Sequence, residues 1–205
     1  KVGRSYVFEK DSGGTNNWNL VATLSSGSSE AGQDFGQAVA IGGDYVVVGS
    51  PHISVAPNSN TGSAYLFSRN QGGSGNWGFV QSLVPLDPSN SSQFGYAVAT
   101  TGTFVSIGVP FTVSGTQVSG SGAGYLFKKS GTSGMWGQYA KIYPTPANYA
   151  VGTSIGVSGS TLVIGHLENG TQFPGAAYVA SFGTTGGVSM SPHQTWEPIR
   201  EIIFN

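Results

Sequence analysis

Residues 35–51 read FGQAVAIGGDYVVVGSP, residues 94–110 read FGYAVATTGTFVSIGVP, and residues 151–167 read VGTSIGVSGSTLVIGHL. Each stretch is two short apolar runs of period close to two, broken at Gly43, Gly102 or Gly159. Alternation of this kind is the mark of a strand, and a Gly between two such runs marks a tight hairpin. Gly49, Gly108 and Gly165 recur where the second run ends, a place for a turn or a close backbone approach.

Two further landmarks follow every copy and also stand once before the first, at the amino end. The aromatic stretches RSYVFEK (4–10), SAYLFSR (63–69), AGYLFKK (123–129) and AAYVASF (176–182) come first. Then come WNLVATL (18–24), WGFVQSL (77–83), WGQYAKI (136–142) and WEPIREI (196–202). Trp18, Trp77, Trp136 and Trp196 are spaced 59, 59 and 60 residues apart. A fixed period of this size is a repeat of one supersecondary unit. The pattern predicts four antiparallel strands per unit, called here strands 1 to 4, with no useful run of helical periodicity. Four-stranded repeats are the blades of a β-propeller; a sandwich or an elongated solenoid is the alternative. The four Trp and the Phe-Gly pairs are expected to pack between strands rather than meet a ligand.

Composition agrees and excludes other classes. Thirty-three Gly and only 8% charged residues, with 38% hydrophobic, describe a folded chain rich in turns. A net charge of −1, with Lys128-Lys129 as the longest basic run, argues against nucleic acid. No Cys is present, so disulfides and thiolate metal sites are excluded. No stretch reaches the roughly 20 apolar residues of a membrane helix, so membrane insertion is not expected. The chain starts at Lys1 without Met and reads as a processed or excised piece of a larger precursor.

The order of these motifs resembles the FG-GAP repeat of integrin-like β-propellers, in a bacterial-type variety. Phe35-Gly36, Gly49-Ser50-Pro51 and Gly62-Ser63-Ala64-Tyr65-Leu66-Phe67 follow that order, as do Phe94-Gly95, Gly108-Val109-Pro110 and Gly124-Tyr125-Leu126-Phe127. The third copy departs from it, with Val151-Gly152 for Phe-Gly and Gly165-His166-Leu167 lacking Pro. The resemblance implies calcium as a common cofactor, held in an Asp/Asn-rich loop between strands 1 and 2. A hard cation wants several oxygen ligands, and here that hairpin offers only Gly42-Gly43-Asp44, Thr101-Gly102-Thr103 or Ser158-Gly159-Ser160. No metal and no cofactor is therefore expected, Asp11 in DSGGTNN included.

Because strands alternate in direction, the loops between strands 2 and 3 share a face with those between strands 4 and 1. The first set is 51–61, 110–122 and 166–174; the second is 25–34, 84–93 and 143–150. They are long and differ between copies while the strands do not, which is where binding normally sits. The resemblance makes the same face the usual ligand face. The binding candidates are His52, Asn58, Phe111, Gln117, Tyr149, Glu168 and Phe173. Two N-glycosylation sequons, at Asn90 and Asn169, fall on this face. No catalytic residue is expected. His52, His166 and His193 sit at unrelated places in the repeat, and no catalytic motif spacing occurs. NQGGSGN (70–76) joins strand to strand, without the helix a phosphate loop needs.

Counting strands gives a half blade in 1–24 and blades in 35–83, 94–142 and 151–202. Three and a half blades would be half of the roughly seven-bladed ring that the resemblance implies. An open arc exposes apolar faces and strand edges, so no stable lone monomer is expected. The chain reads as a fragment, as one of two copies closing a ring, or as a fibre subunit. The expected role is a non-enzymatic extracellular or cell-surface module that binds protein partners or further copies of itself. The alternative is a carbohydrate-binding propeller lectin, although Phe111, Tyr149 and Phe173 do not repeat in register as glycan platforms would.

Overall fold

Period-two runs cut by Gly leave the backbone one inexpensive solution, a meander in which each strand pairs with the next. The computed structural model describes residues 2–111, 122–131, 134–142, 150–167 and 175–183. The described strands are β1 (Ser5–Lys10), β2 (Trp18–Leu24), β3 (Val39–Gly42), β4 (Tyr45–Ser50), β5 (Ser63–Arg69) and β6 (Trp77–Leu83). They continue as β7 (Ala97–Thr100), β8 (Phe104–Val109), β9 (Ala123–Lys129), β10 (Trp136–Ile142), β11 (Val151–Ser158), β12 (Thr161–His166) and β13 (Ala176–Ser181). They form four separate antiparallel sheets: β1-β2, β3-β4-β5-β6, β7-β8-β9-β10 and β11-β12-β13. The fold is all-β and built of propeller blades, as the repeat requires. The expected Trp196 strand lies outside the described residues.

Two details differ from the sequence pattern. Phe35-Gly36 and Phe94-Gly95 are not strand residues, since β3 and β7 start only at Val39 and Ala97. Instead the residue before each pair (Asp34 at φ 53°, Gln93 at 59°) turns the chain through the left-handed region, as Ala150 does at 54°. The outermost strand of each of the first three sheets also carries one extra residue. Val21, Val80 and Tyr139 are skipped in the pairing of β2 with β1, β6 with β5 and β10 with β9. A bulge bends and twists an edge strand, which blunts its use as a template for other chains.

The sheets pack face to face. Val47, Ala64, Leu66 and Leu83 of the second sheet bury against Val98, Val105, Ile107, Tyr125, Phe127 and Trp136 of the third. The alternate residues of the second sheet, Val46, Val48, Tyr65, Phe67 and Trp77, meet Val7 and Leu24 of the first. Phe104, Leu126 and Ile142 of the third meet Leu162, Ile164 and Phe182 of the fourth sheet and its end. The Phe of each Phe-Gly pair caps the aromatics of its own sheet. Phe35 lies 5.5 Å from Tyr65, and Phe94 lies 5.4 Å from Tyr125, both edge-on.

Glycine permits the closest of these contacts. A Cβ on Gly49 would sit 1.9 Å from the carbonyl oxygen of Gly95 in the next sheet, and one on Gly108 would sit 2.1 Å from that of Gly152. Trp18 departs from the expected packing role. It is 65% exposed whereas Trp136 is 2% exposed, because among the described residues no sheet stands in front of β1 and β2.

Substitutions should expose this hierarchy in urea melts. Gly49→Ala is expected to cost about 3 kcal/mol, since backbone must move. Gly43→Ala, at φ +55° with open space around it, should cost only about 1 kcal/mol. Trp136→Ala should cost about 3–5 kcal/mol, and Trp18→Ala less than about 1 kcal/mol.

A candidate binding face formed by the long loops

The loop from β4 to β5 and the loop from β6 to β7 are tied together by backbone. Phe94 N–H donates to Thr61 O at 2.8 Å and Ser91 N–H to Ser59 O at 2.9 Å. The buried Ser92 hydroxyl adds a bond to Thr61 O at 2.9 Å. These two loops, which differ in sequence from their counterparts in the other repeats, are thus bonded to each other on a repeating scaffold.

His52 sits at the seam between sheets. Its Nδ1 lies 2.9 Å from Asp34 Oδ2, and its Nε2 lies 3.1 Å from the side-chain amide of Gln93. Each ring nitrogen of His52 therefore has a polar side chain within hydrogen-bond distance. Asp34 and Gln93 occupy equivalent places in successive repeats, so His52 bridges the entries to two neighbouring sheets. Asn58 is half-buried, and its amide nitrogen reaches Pro88 O at 3.5 Å. Phe111 is partly exposed, and its N–H donates to Ser92 O at 3.4 Å. His52, Asn58 and Phe111 therefore share one surface. Gln117, Tyr149, Glu168 and Phe173 lie outside the described residues.

Asn90 is exposed on the same surface, and its Oδ1 accepts the Ser59 N–H at 2.9 Å. Asn169 lies outside the described residues. His166 is buried and stacks on Tyr178 with centroids 5.6 Å apart, a packing role. His193 is outside the described residues as well.

Two features of the face were not singled out in the sequence. Leu86, in VPLDPSN, is highly exposed, while its N–H donates to Gln138 Oε1 at 2.9 Å. Asp87 accepts from the Tyr125 hydroxyl at 3.0 Å and pairs with Lys141, whose Nζ stands 5.3 Å from the Tyr125 ring centroid. These partners are 38 and 54 residues from Asp87, so no local motif signals them.

Among the described residues, no three His, Asp or Glu side chains come together as metal ligands. Asp11 braces its own loop, where its Oδ1 accepts the Asn16 N–H at 2.6 Å. Asn70, the equivalent residue one repeat on, makes the same bond to Gly75 N–H at 2.8 Å. A neutral amide holds the turn equally well, so the loop does not require a negative charge.

Burial, then the charge and hydrogen bond of Asp87, raise the Tyr125 phenol well above its ordinary value of 10.0. Burial, then Glu30, raise Tyr65. Each holds its proton more tightly folded than unfolded, so the contribution is complete below pH 10 and is lost as pH rises beyond it. In an alkaline titration followed at the phenolate band, these two tyrosines should ionise last. Melting temperature should fall above about pH 10, less steeply in Tyr125→Phe.

The comparisons agree with this geometry. The family model for the FG-GAP repeat matches residues 18–67 and 77–127. Each match runs from the outermost strand of one sheet to the third strand of the next, so the sequence repeat is out of phase with the sheet. No curated protein matches the chain. With two repeats matched in tandem on a chain of repeated antiparallel sheets, the chain belongs to the FG-GAP repeat family.

Proposed function

We propose that the chain is a non-enzymatic interaction module of an extracellular or cell-surface protein. In this reading it holds protein partners on its long-loop face or joins blade to blade with further copies of itself. FG-GAP repeats are in general extracellular interaction modules, and no helix among the described residues is long and apolar enough to cross a membrane. The observation that carries the reading is the contrast within the molecule. Strands, bulges and Gly contacts recur, while the loops woven together around His52 and Asn58 do not. A rigid scaffold with non-repeating loops presents one surface to one partner, whereas chemistry repeated in every blade would serve a repeated ligand such as a glycan.

The experiment is a binding screen of the biotinylated chain on an array of secreted and cell-surface proteins and, in parallel, on a glycan array. The reading expects protein binders whose signal drops at least about tenfold, or 1.4 kcal/mol, in Leu86→Ser/Phe111→Ser. Glycan binders alone would replace it with the lectin reading, and binding indifferent to both loop residues would remove the face from the account. Expression in a eukaryotic secretory host should add a glycan at Asn90, seen by mass spectrometry and absent from Asn90→Gln.

A further inference from the structure

The three residues of the Asn90-Ser91-Ser92 sequon meet the seam between the second and third sheets in different ways. Asn90 is exposed, and its Oδ1 accepts the Ser59 N–H at 2.9 Å. Ser91 turns through the left-handed region at φ 57°, and its N–H donates to Ser59 O at 2.9 Å. Ser92 is 3% exposed, and its hydroxyl donates to the carbonyl of Thr61, which is itself fully buried. The bonding continues with Gln93 N–H to Asn60 O and Phe94 N–H to Thr61 O, so 59–61 and 91–94 lie side by side. Gly62 and Phe94 close the pair as a parallel bridge.

Burial of the third sequon residue comes from its place in the repeat. Ser92 stands two residues before the Phe of its Phe-Gly pair, and Gln33 stands two before Phe35. Gln33 is fully buried as well. Its carbonyl accepts the His52 N–H, as the Ser92 carbonyl accepts the Phe111 N–H. The entry to each of these sheets carries this position inward, for a Gln and a Ser alike.

Transfer of an oligosaccharide uses both ends of a sequon. The Asn amide nitrogen is the nucleophile, and the transferase grips the hydroxyl two residues on. The bond from Nδ2 to C1 of the sugar forms, the bond from C1 to the pyrophosphate of a lipid-linked donor breaks, and the amide proton leaves with the pyrophosphate. In the folded chain the amide end is within reach and the hydroxyl end is not. We infer that Asn90 is an oligosaccharide acceptor only while the chain is open between the second and third sheets. Closing the seam withdraws the Ser92 hydroxyl and leaves an attached glycan outside. The glycosylated amide keeps its carbonyl, so Oδ1 still accepts from Ser59 while the sugar extends from Nδ2. Occupancy is then set by a race between transfer and the docking of one sheet on the next, not by the exposure of Asn90 in the finished fold. The inference rests on the reading of the chain as part of an extracellular or cell-surface protein, which a transferase would meet during secretion.

The test mixes the unglycosylated full chain, made in a bacterial host, with an equimolar synthetic peptide of residues 84–96 in one tube. Purified oligosaccharyltransferase and a lipid-linked oligosaccharide are added, and glycan on each is followed by mass spectrometry. The peptide should be modified at least about tenfold faster, because the folded chain presents its sequon only in the locally opened fraction. In glycosylated chain from a secretory host, the Ser59, Ser91 and Phe94 amides should exchange as slowly as in the unmodified chain. Equal rates for peptide and folded chain would overturn the gate, as would a peptide that accepts no glycan. Exchange at Ser59 at least about tenfold faster in the glycosylated chain would show the glycan and the closed seam to be incompatible, and would overturn it too. Neither arm involves a loop-face partner, so the Leu86/Phe111 array signal stands or falls separately.

Discussion

The structure depends on one contact that is made repeatedly: the end of the second strand of each complete blade lies against the entry of the blade that follows. Gly49 meets Gly95 and Gly108 meets Gly152 with no room for a side chain on the earlier glycine. That approach brings two pleated faces close enough for Val, Leu and aromatic side chains to interdigitate. Neither face could be buried by its own sheet, because a four-stranded sheet has two sides and only one layer. Stability is therefore a property of neighbours, as in other tandem repeats.

Several secondary features follow from that constraint. The Phe of each Phe-Gly pair must leave the strand, since only from a turn can its ring lie over the aromatics of its own sheet while the following Gly meets the sheet before. The left-handed residues at Asp34, Gln93 and Ala150 provide that exit. The outermost strands of the first three sheets each carry a bulge, at Val21, Val80 and Tyr139. What remains free to vary is the loop face, where the side chains of Asp34, His52 and Gln93 add to the main-chain bonds that join adjacent blades.

Much of this could be read from the residues, because the constraint recurs in the chain. The 59-residue spacing of Trp18, Trp77 and Trp136 locates the outermost strands, and Gly43, Gly102 and Gly159 locate the hairpins, all with positive φ. The environment of Trp18 was not legible from its own strand: it holds the same place in the repeat as Trp136, yet among the described residues no sheet covers it. The Asp87–Tyr125–Lys141 cluster was equally hidden, since it unites residues that share no strand and no period. Loop candidates could be placed on a face by topology alone. Their partners, such as Asp34 and Gln93 for His52, needed coordinates because loops carry no alternation to fix a register.

The central claim is that successive repeats fold as separate sheets covering one another, and a double-mutant cycle across one seam tests it most directly. Tyr45 of the second sheet meets Trp136 of the third edge-on, with centroids 5.2 Å apart. For Tyr45→Leu and Trp136→Leu, singly and together, the account predicts a coupling free energy of about 1 kcal/mol in urea unfolding. Strictly additive effects would mean that these residues, 91 apart in sequence, do not touch, and the stacked-blade account would be wrong.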